Sequence, residues 1–540
     1  MGRIARLATA GALLAGALLL GSSSTVFAHA SLQSSTPASN SVLEESPTAI
    51  VLEFDDSIEV AVASVELFDG NGDAIAIDPP RQGDDDTIVT ASVPALADGL
   101  YAVIWRVTSA DGHPVDGSFS FQIGTSSSDV TGDELINQVR AGAHSPASVR
   151  WAYGIARFLS VLGAIALIGV GGWLLTGATA VGDRAIARRW CRVAAGVFLF
   201  GSAMAFALFG VQATAGSIGD AFDPSVWSKV AGVDTGRALL LRLVFAGALL
   251  ALAIVWDRRS QGWWRGGAAA GSVLGLATFP LAGHPNSSHP RLLWFAVDLV
   301  HLGAIVVWIG GLFMLLLAGR ELLAAARGER IARRFSATAA VCVPLIVATG
   351  VLQTWKLVGG FDDVAVTDWG RILLIKVTLV VVLLAVAGVS RWLLLHDGSS
   401  SIRRTVVVEA VVGVVVVALA AGMVGLPPTP VVAAQPFAAR VVSEGMIVEL
   451  SVGPGAVGRN ELHVVITPPG GSIVPVIAAA ARVALPDEAV PAAPVQLVAE
   501  GVNHYSGFVT FPRSGDWTLD VIIEVTPGQT VLVKRTVPIP

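Results

Sequence analysis

Three of the nine histidines fall in one stretch at the middle of the chain, running from Phe279 to His301. His284 and His289 lie in a short polar segment between two apolar runs. His301 lies about ten residues into the second run, three positions after Asp298. At about 1.5 Å rise per residue, a helix would carry His301 on the order of 15 Å into a bilayer, near its midplane. An imidazole nitrogen ligates d-block metals, and a carboxylate one helical turn away can orient the ring. Ionisable groups at that depth are costly and mark ion or proton pathways by default. His284, His289, Asp298 and His301 are therefore the candidate transport path. The competing reading is a buried hydrogen-bonded pair that only ties helices together.

A second constellation is split across the N-terminal fifth of the chain. Residues 1–28 carry Arg3 and Arg6, an apolar stretch through Leu20, and Val26-Phe27-Ala28, the pattern of a cleaved signal peptide. Cleavage there leaves His29 as the new terminus, where amine and imidazole can chelate one metal together. The segment Ser109-Ala-Asp111-Gly-His113-Pro-Val-Asp-Gly117 adds a carboxylate and an imidazole in one turn. Neutral imidazoles with one carboxylate suit Cu(II) in a tetragonal N,O geometry. His29, Asp111 and His113 are the candidate metal ligands.

Composition limits what can position these groups. Hydrophobic residues make up 53% of the 540 and charged residues 14%, against about 25% charged in soluble domains. The pattern is that of a polytopic membrane protein. With a net charge of −6 and no basic stripe, nothing points to nucleic acid. Cys191 and Cys342 are the only cysteines, and both sit in or beside apolar runs, so neither a disulfide framework nor a CxxC site is available.

Residues 29–123 alternate as strands do, at Ile50–Phe54, Ala61–Phe68, Thr87–Val93, Leu100–Val107 and Gly117–Ile123, with turn signals between them. This predicts a small Ig-like β-sandwich with Asp111 and His113 at one end. Residues 124–150 read as a linker or a short helix over the membrane. Strand-like alternation returns in 427–540, which predicts a second external sandwich. His463 and His504 there read as surface or structural residues.

Between 151 and 426 lie eight apolar runs, near 152–178, 190–215, 237–256, 264–283, 292–318, 336–358, 370–395 and 405–426. Alternate loops carry Arg188, Arg189, Arg258, Arg259, Arg333, Arg334, Arg403 and Arg404, while the others carry few cations. The Arg-rich loops are then cytoplasmic, and both termini are external. The two halves of the block repeat each other. Leu162-Gly-Ala-Ile165 matches Leu302-Gly-Ala-Ile305, and Gly236-Arg-Ala-Leu-Leu-Leu-Arg242 matches Gly370-Arg-Ile-Leu-Leu-Ile-Lys376. Two parallel four-span repeats follow. His301 faces Val161 in this alignment, so the histidine is not part of the repeated frame.

The fold class expected is thus a polytopic α-helical membrane bundle flanked by two external all-β domains. His29-Ala-Ser-Leu-Gln-Ser-Ser-Thr-Pro37, with the Asp111-Gly-His113 segment, resembles the CopC periplasmic copper-binding family over residues 29–123. The resemblance implies Cu(II) held by His29, Asp111 and His113. This domain has no methionine, so the Cu(I) site of methionine-rich members is not expected. The helical block, through Asp298–Gly311, Arg334-Phe-Ser336 and Gly370–Lys376, resembles the CopD copper-resistance membrane family over about 152–426. Asn503–Trp517 is similar to YtkA-like domains. Together these imply a non-enzymatic copper importer or resistance protein of the inner cell membrane, whose partners are copper, the bilayer and external copper proteins. An external copper chaperone, assembly factor or sensor, and a histidine-brace copper oxidase or mono-oxygenase, are the alternatives.

Overall fold

The computed structural model describes residues 30–539 apart from Ser31, Asn40, Asp111, 125–131, 141–145, 176–183, 257–261, His284, 286–287, His289, 324–325, 358–366, 397–401, 424–425, 427–436, Pro454, Ala456, 469–474 and 486–489. The expected signal peptide, His29, Asp111, His284 and His289 lie outside the described residues. The chain forms two compact units. One is helical, over Ser145–Pro430; the other is β-rich, from Ala30–Ser109, Pro114–His144 and Val431–Pro540.

The N-terminal β-domain holds nine strands: β1 (Leu32–Thr36), β2 (Val42–Leu43), β3 (Ala49–Phe54), β4 (Ser64–Phe68), β5 (Ala74–Ile75), β6 (Arg81–Gln82), β7 (Ile88–Ser92), β8 (Gly99–Thr108) and β9 (Pro114–Ile123). They form a four-stranded sheet, β1-β3-β7-β6, and a five-stranded sheet, β2-β9-β8-β4-β5. Alternate residues of β3 and β7 turn inward, and Ile50, Leu52, Val89 and Ala91 are fully buried against Leu67, Val103 and Phe121 of the other sheet. Phe54 meets Trp105 edge-on with centroids 5.2 Å apart. Within the stretch expected as linker, α1 (Gly132–Arg140) is a docked helix. Its Leu135 is buried against Leu100 and Ala102.

The helical unit contains α2 (Ala147–Leu175), α3 (Arg184–Ala213), α4 (Pro224–Gly232), α5 (Asp234–Val255), α6 (Gly262–Ala277), α7 (Arg291–Leu323), α8 (Ala326–Leu357), α9 (Asp368–His396) and α10 (Ile402–Met423). Seven of the described helices are long and apolar enough to cross a membrane, so this is a multi-pass membrane protein. The eighth expected run, 264–283, departs from the others. Its described helix, α6, has 16 residues and is followed by a 3-10 turn at Pro280–Ala282 that carries the run on. Pro280 cannot donate the backbone hydrogen bond that would continue α6.

Small residues let the helices approach. Ser160 of α2 and Ser202 of α3 share a hydrogen bond of 2.9 Å, and Gly163 and Gly201 lie against the backbone of the opposite helix. Where α2 crosses α7, Gly169 and Gly310 face each other, and a methyl group on either would collide with the other's backbone. A π-turn over Ile165–Gly169 brings Gly169 to that crossing. Trp173 Nε1 donates to the Val307 carbonyl beside it at 3.1 Å.

The C-terminal domain pairs β10 (Phe437–Ser443), β11 (Met446–Gly453), β12 (Gly458–Thr467), β16 (His504–Phe511) and β15 (Val498–Gly501) in one sheet, and β14 (Val490–Val495), β13 (Ala478–Leu485), β17 (Gly515–Thr526) and β18 (Gln529–Ile539) in a second. Leu462, Val464, Phe511, Leu519 and Val521 are among its fully buried residues.

Candidate metal-handling sites

In the N-terminal domain, His113 immediately precedes β9 and is buried, at 7% exposure. The turn that carries it opens at Ser109, which bridges to Ile58, and bends at Gly112 with a positive φ of 84°. Ala30, the residue after His29, is packed at 2% exposure into the same core as Ile58 and Val107. Of the three expected ligands, His113 is the one among the described residues.

In the membrane block, α7 carries Asp298 and His301 and α8 carries Thr349 and Gln353. Spacings of three on one helix and four on the other put each pair on one helical face. His301 Nδ1 lies 2.8 Å from Thr349 Oγ1. The Thr349 hydroxyl donates to the Leu345 carbonyl in its own helix, the usual use of a threonine hydroxyl one turn on. With that hydroxyl directed at Leu345, its oxygen can accept from Nδ1–H, the tautomer in which Nε2 keeps its lone pair. Gln353 Nε2 donates to Asp298 Oδ1 at 3.0 Å. Lys376 of α9 is within electrostatic reach of both Asp298 and His301. Four polar side chains thus form two cross-helix rungs inside apolar spans.

This arrangement redistributes a role expected from sequence. One helical turn of separation made Asp298 the natural partner for the His301 ring, but the ring nitrogen goes to Thr349 and the carboxylate takes Gln353. Both are residues the sequence reading passed over. The available signal was Thr349 and Gln353 spaced by four in an otherwise apolar run.

Arg242, the counterpart of Lys376 in the other half, is buried at 4% exposure. Its Nε donates to Thr278 Oγ1 at 3.1 Å and its Nη2 to the Thr278 carbonyl at 2.8 Å. The guanidinium stacks 3.8 Å over the Phe279 ring. It does not reach toward headgroups. On α10, Glu409 is buried at 2% exposure and accepts from Ser390 Oγ of α9. Among the described residues, no group of three or more His, Cys, Asp and Glu side chains is arranged to hold a metal ion.

A β-domain joined to a helical block of candidate membrane spans, with His301 and Asp298 inside them, defines a multi-pass membrane protein with an attached β-domain. Comparison with known families gives it an address. Residues 32–124 match the CopC domain, 147–289 the Copper resistance protein D-like N-terminal domain, and 329–423 Copper resistance protein D. The chain belongs to the CopC and CopD copper-resistance family and carries both parts in one polypeptide. It is 26% identical over 467 residues to Copper transport protein CutJ of Bacillus subtilis (strain 168), covering 83% of this chain and 84% of that one. It is 32% identical over 109 residues to Copper resistance protein C of Xanthomonas campestris pv. juglandis, covering 19% of this chain and 84% of that protein. The crystal structure of CopC from Methylosinus trichosporium OB3b aligns at 29% identity over 19% of this chain and 100% of that one, with a TM-score of 0.17.

Proposed function

We propose that this protein captures Cu(II) outside the cell membrane and moves copper across it, acting as a carrier and not as an enzyme. The domains follow the sequence boundaries: signal peptide 1–28, copper-binding sandwich 29–123, linker 124–150, membrane block 151–426 and an external YtkA-like sandwich 427–540, with both termini outside. His29 through amine and imidazole, Asp111, and His113 hold Cu(II); two nitrogen types and one carboxylate match the donors this ion prefers. His284 and His289 receive the ion at the membrane surface, and His301 passes it inward with Asp298 beside it.

The observation that carries this reading is the His301–Thr349 hydrogen bond at 2.8 Å. A ring needed only to tie two helices together could use either nitrogen. Here the bond fits the tautomer that keeps Nε2 as a lone-pair donor, at mid-depth in a chain that also carries a CopC domain. The naming of the long relative CutJ as a copper transport protein agrees.

The test has two arms. Cells with the gene should accumulate more copper than cells without it, and equal contents at matched growth would sink the transport reading. In the second arm, full-length protein beginning at His29 is titrated with Cu(II) against protein keeping one residue before it. The extra residue turns the amine into an amide and should weaken capture by at least about 10-fold, a loss of about 1.4 kcal/mol. Equal affinity would overturn the terminal chelate and leave the transport arm standing.

A further inference from the structure

His463 of β12 and His504 of β16 come together although 41 residues separate them in sequence. The two strands are antiparallel, with His463 opposite Ser506 and Val465 opposite His504. That register sets the histidines on a diagonal of one sheet face, within reach of long side chains. Leu462, Val464 and Ile466 alternate into the core, so the histidines occupy the outer face. His463 Nδ1 and His504 Nε2 are 3.1 Å apart. Glu461, two positions before His463 and on the same face, places Oε1 3.4 Å from the other ring nitrogen, Nε2, without hydrogen-bond alignment.

We infer that His463 and His504 form a second copper-binding site, which takes Cu(II) through two imidazole nitrogens and completes its coordination with water. The argument is geometric. Two nitrogens each about 2.0 Å from one ion and 3.1 Å apart subtend about 100° at it, the angle of adjacent ligands in tetrahedral or tetragonal sites. A linear two-imidazole Cu(I) site would need the nitrogens about 4 Å apart. A proton of His463 on Nε2, the nitrogen 3.4 Å from Glu461 Oε1, would leave Nδ1 as the lone-pair nitrogen facing His504. Such carboxylate–histidine pairs stand behind many metal sites. In the metal-free protein the two nitrogens share a proton; a cation about 2.0 Å from both would sit about 1.3 Å off the line between them, and the two rings would turn about their side-chain bonds to meet it. Among divalent first-row ions a nitrogen site of this kind holds copper most strongly.

Position on the fold agrees with a relay. His463 is buried at 7% exposure even though it faces outward, as are Ser451 and Ser506 beside it, while His504 is half-buried and gives access. Strand β1 of the N-terminal domain packs against β12. Its first residue, Leu32, follows His29 by three positions. The strand that carries His463 thus packs on a strand of the N-terminal domain. The choice of copper as occupant rests on the carrier reading; the metal-binding geometry does not.

The test uses the full chain in detergent, loaded with Cu(II), desalted, and read by copper per chain and by electron paramagnetic resonance. His504→Ala should lose one copper per chain and one spectral component coupled to two imidazole nitrogens. His504→Asn, which keeps a hydrogen-bond donor but cannot share a cation, should lose the same component without a change in melting temperature. His113→Ala should retain it. Unchanged copper and spectra in both His504 variants overturn the site, and so does absence of the two-nitrogen component from His113→Ala protein. If the N-terminal capture reading is the one that fails, His113→Ala leaves the copper count unchanged while His504→Ala still lowers it.

Discussion

Arg242 and Lys376 stand at matching places in the two halves of the membrane block, yet their surroundings differ. Arg242 is enclosed, with two hydrogen bonds to Thr278 and a ring stacked beneath it, all from the same half. Lys376 is half-buried and acts on Asp298 and His301 across a helix boundary. Packing does not follow that division: the spanning windows of α2, α3 and α7 are buried at 50%, 56% and 50%, those of α10 and α5 at 39% and 33%, and those of α8 and α9 at 17% and 11%. The first half satisfies its polar groups internally and reads as frame. The second places Asp298 and His301 on α7 and Lys376 on α9.

The contrast can be broken most directly at His301. His301→Ala should reduce copper accumulation to the level of cells without the gene while Cu(II) capture by the N-terminal domain persists; wild-type accumulation at equal membrane abundance would make His301 a packing residue. Next comes Thr349→Val, which keeps the volume but removes the acceptor that fixes the ring. Loss of such an outer partner costs about 10- to 100-fold in metal affinity, so uptake should fall by that order and return with Thr349→Ser. Asp298→Asn keeps a partner for Gln353 and should lower uptake only about threefold, roughly 0.7 kcal/mol. The smallest effect on transport belongs to the first half. Arg242→Lys gives it the residue of the second, and uptake should stay within about twofold while the melting temperature drops, since a lysine cannot reproduce the forked hydrogen bonds to Thr278. A large uptake defect in a stably folded Arg242→Lys protein would remove the distinction between frame and path.

Much of the architecture was legible because its signals are local. Alternation marked β3, β7 and β8, and hydropathy marked most of the helices, though α8 begins at Ala326, ten residues before the expected run. What stayed hidden depends on which elements meet. Thr349 and Gln353 look like stray polar residues until α8 is laid against α7. His463 and His504 read as separate surface histidines because the register of β12 on β16 is a long-range fact. Hydropathy alone does not show that the run 264–283 changes from α6 to a 3-10 turn at Pro280.

The facing glycines Gly169 and Gly310 bear on mechanics. A crossing where backbone lies on backbone sets the closest approach of two helices, and Val170 and Trp173 of α2 pack with Trp308 and Leu312 of α7 around it, so α7 is anchored at Gly310. His301 sits nine residues from Gly310, an arm of about 13 Å. Tilting that arm by about 10° would sweep the imidazole through about 2 Å, the length of one metal–nitrogen bond.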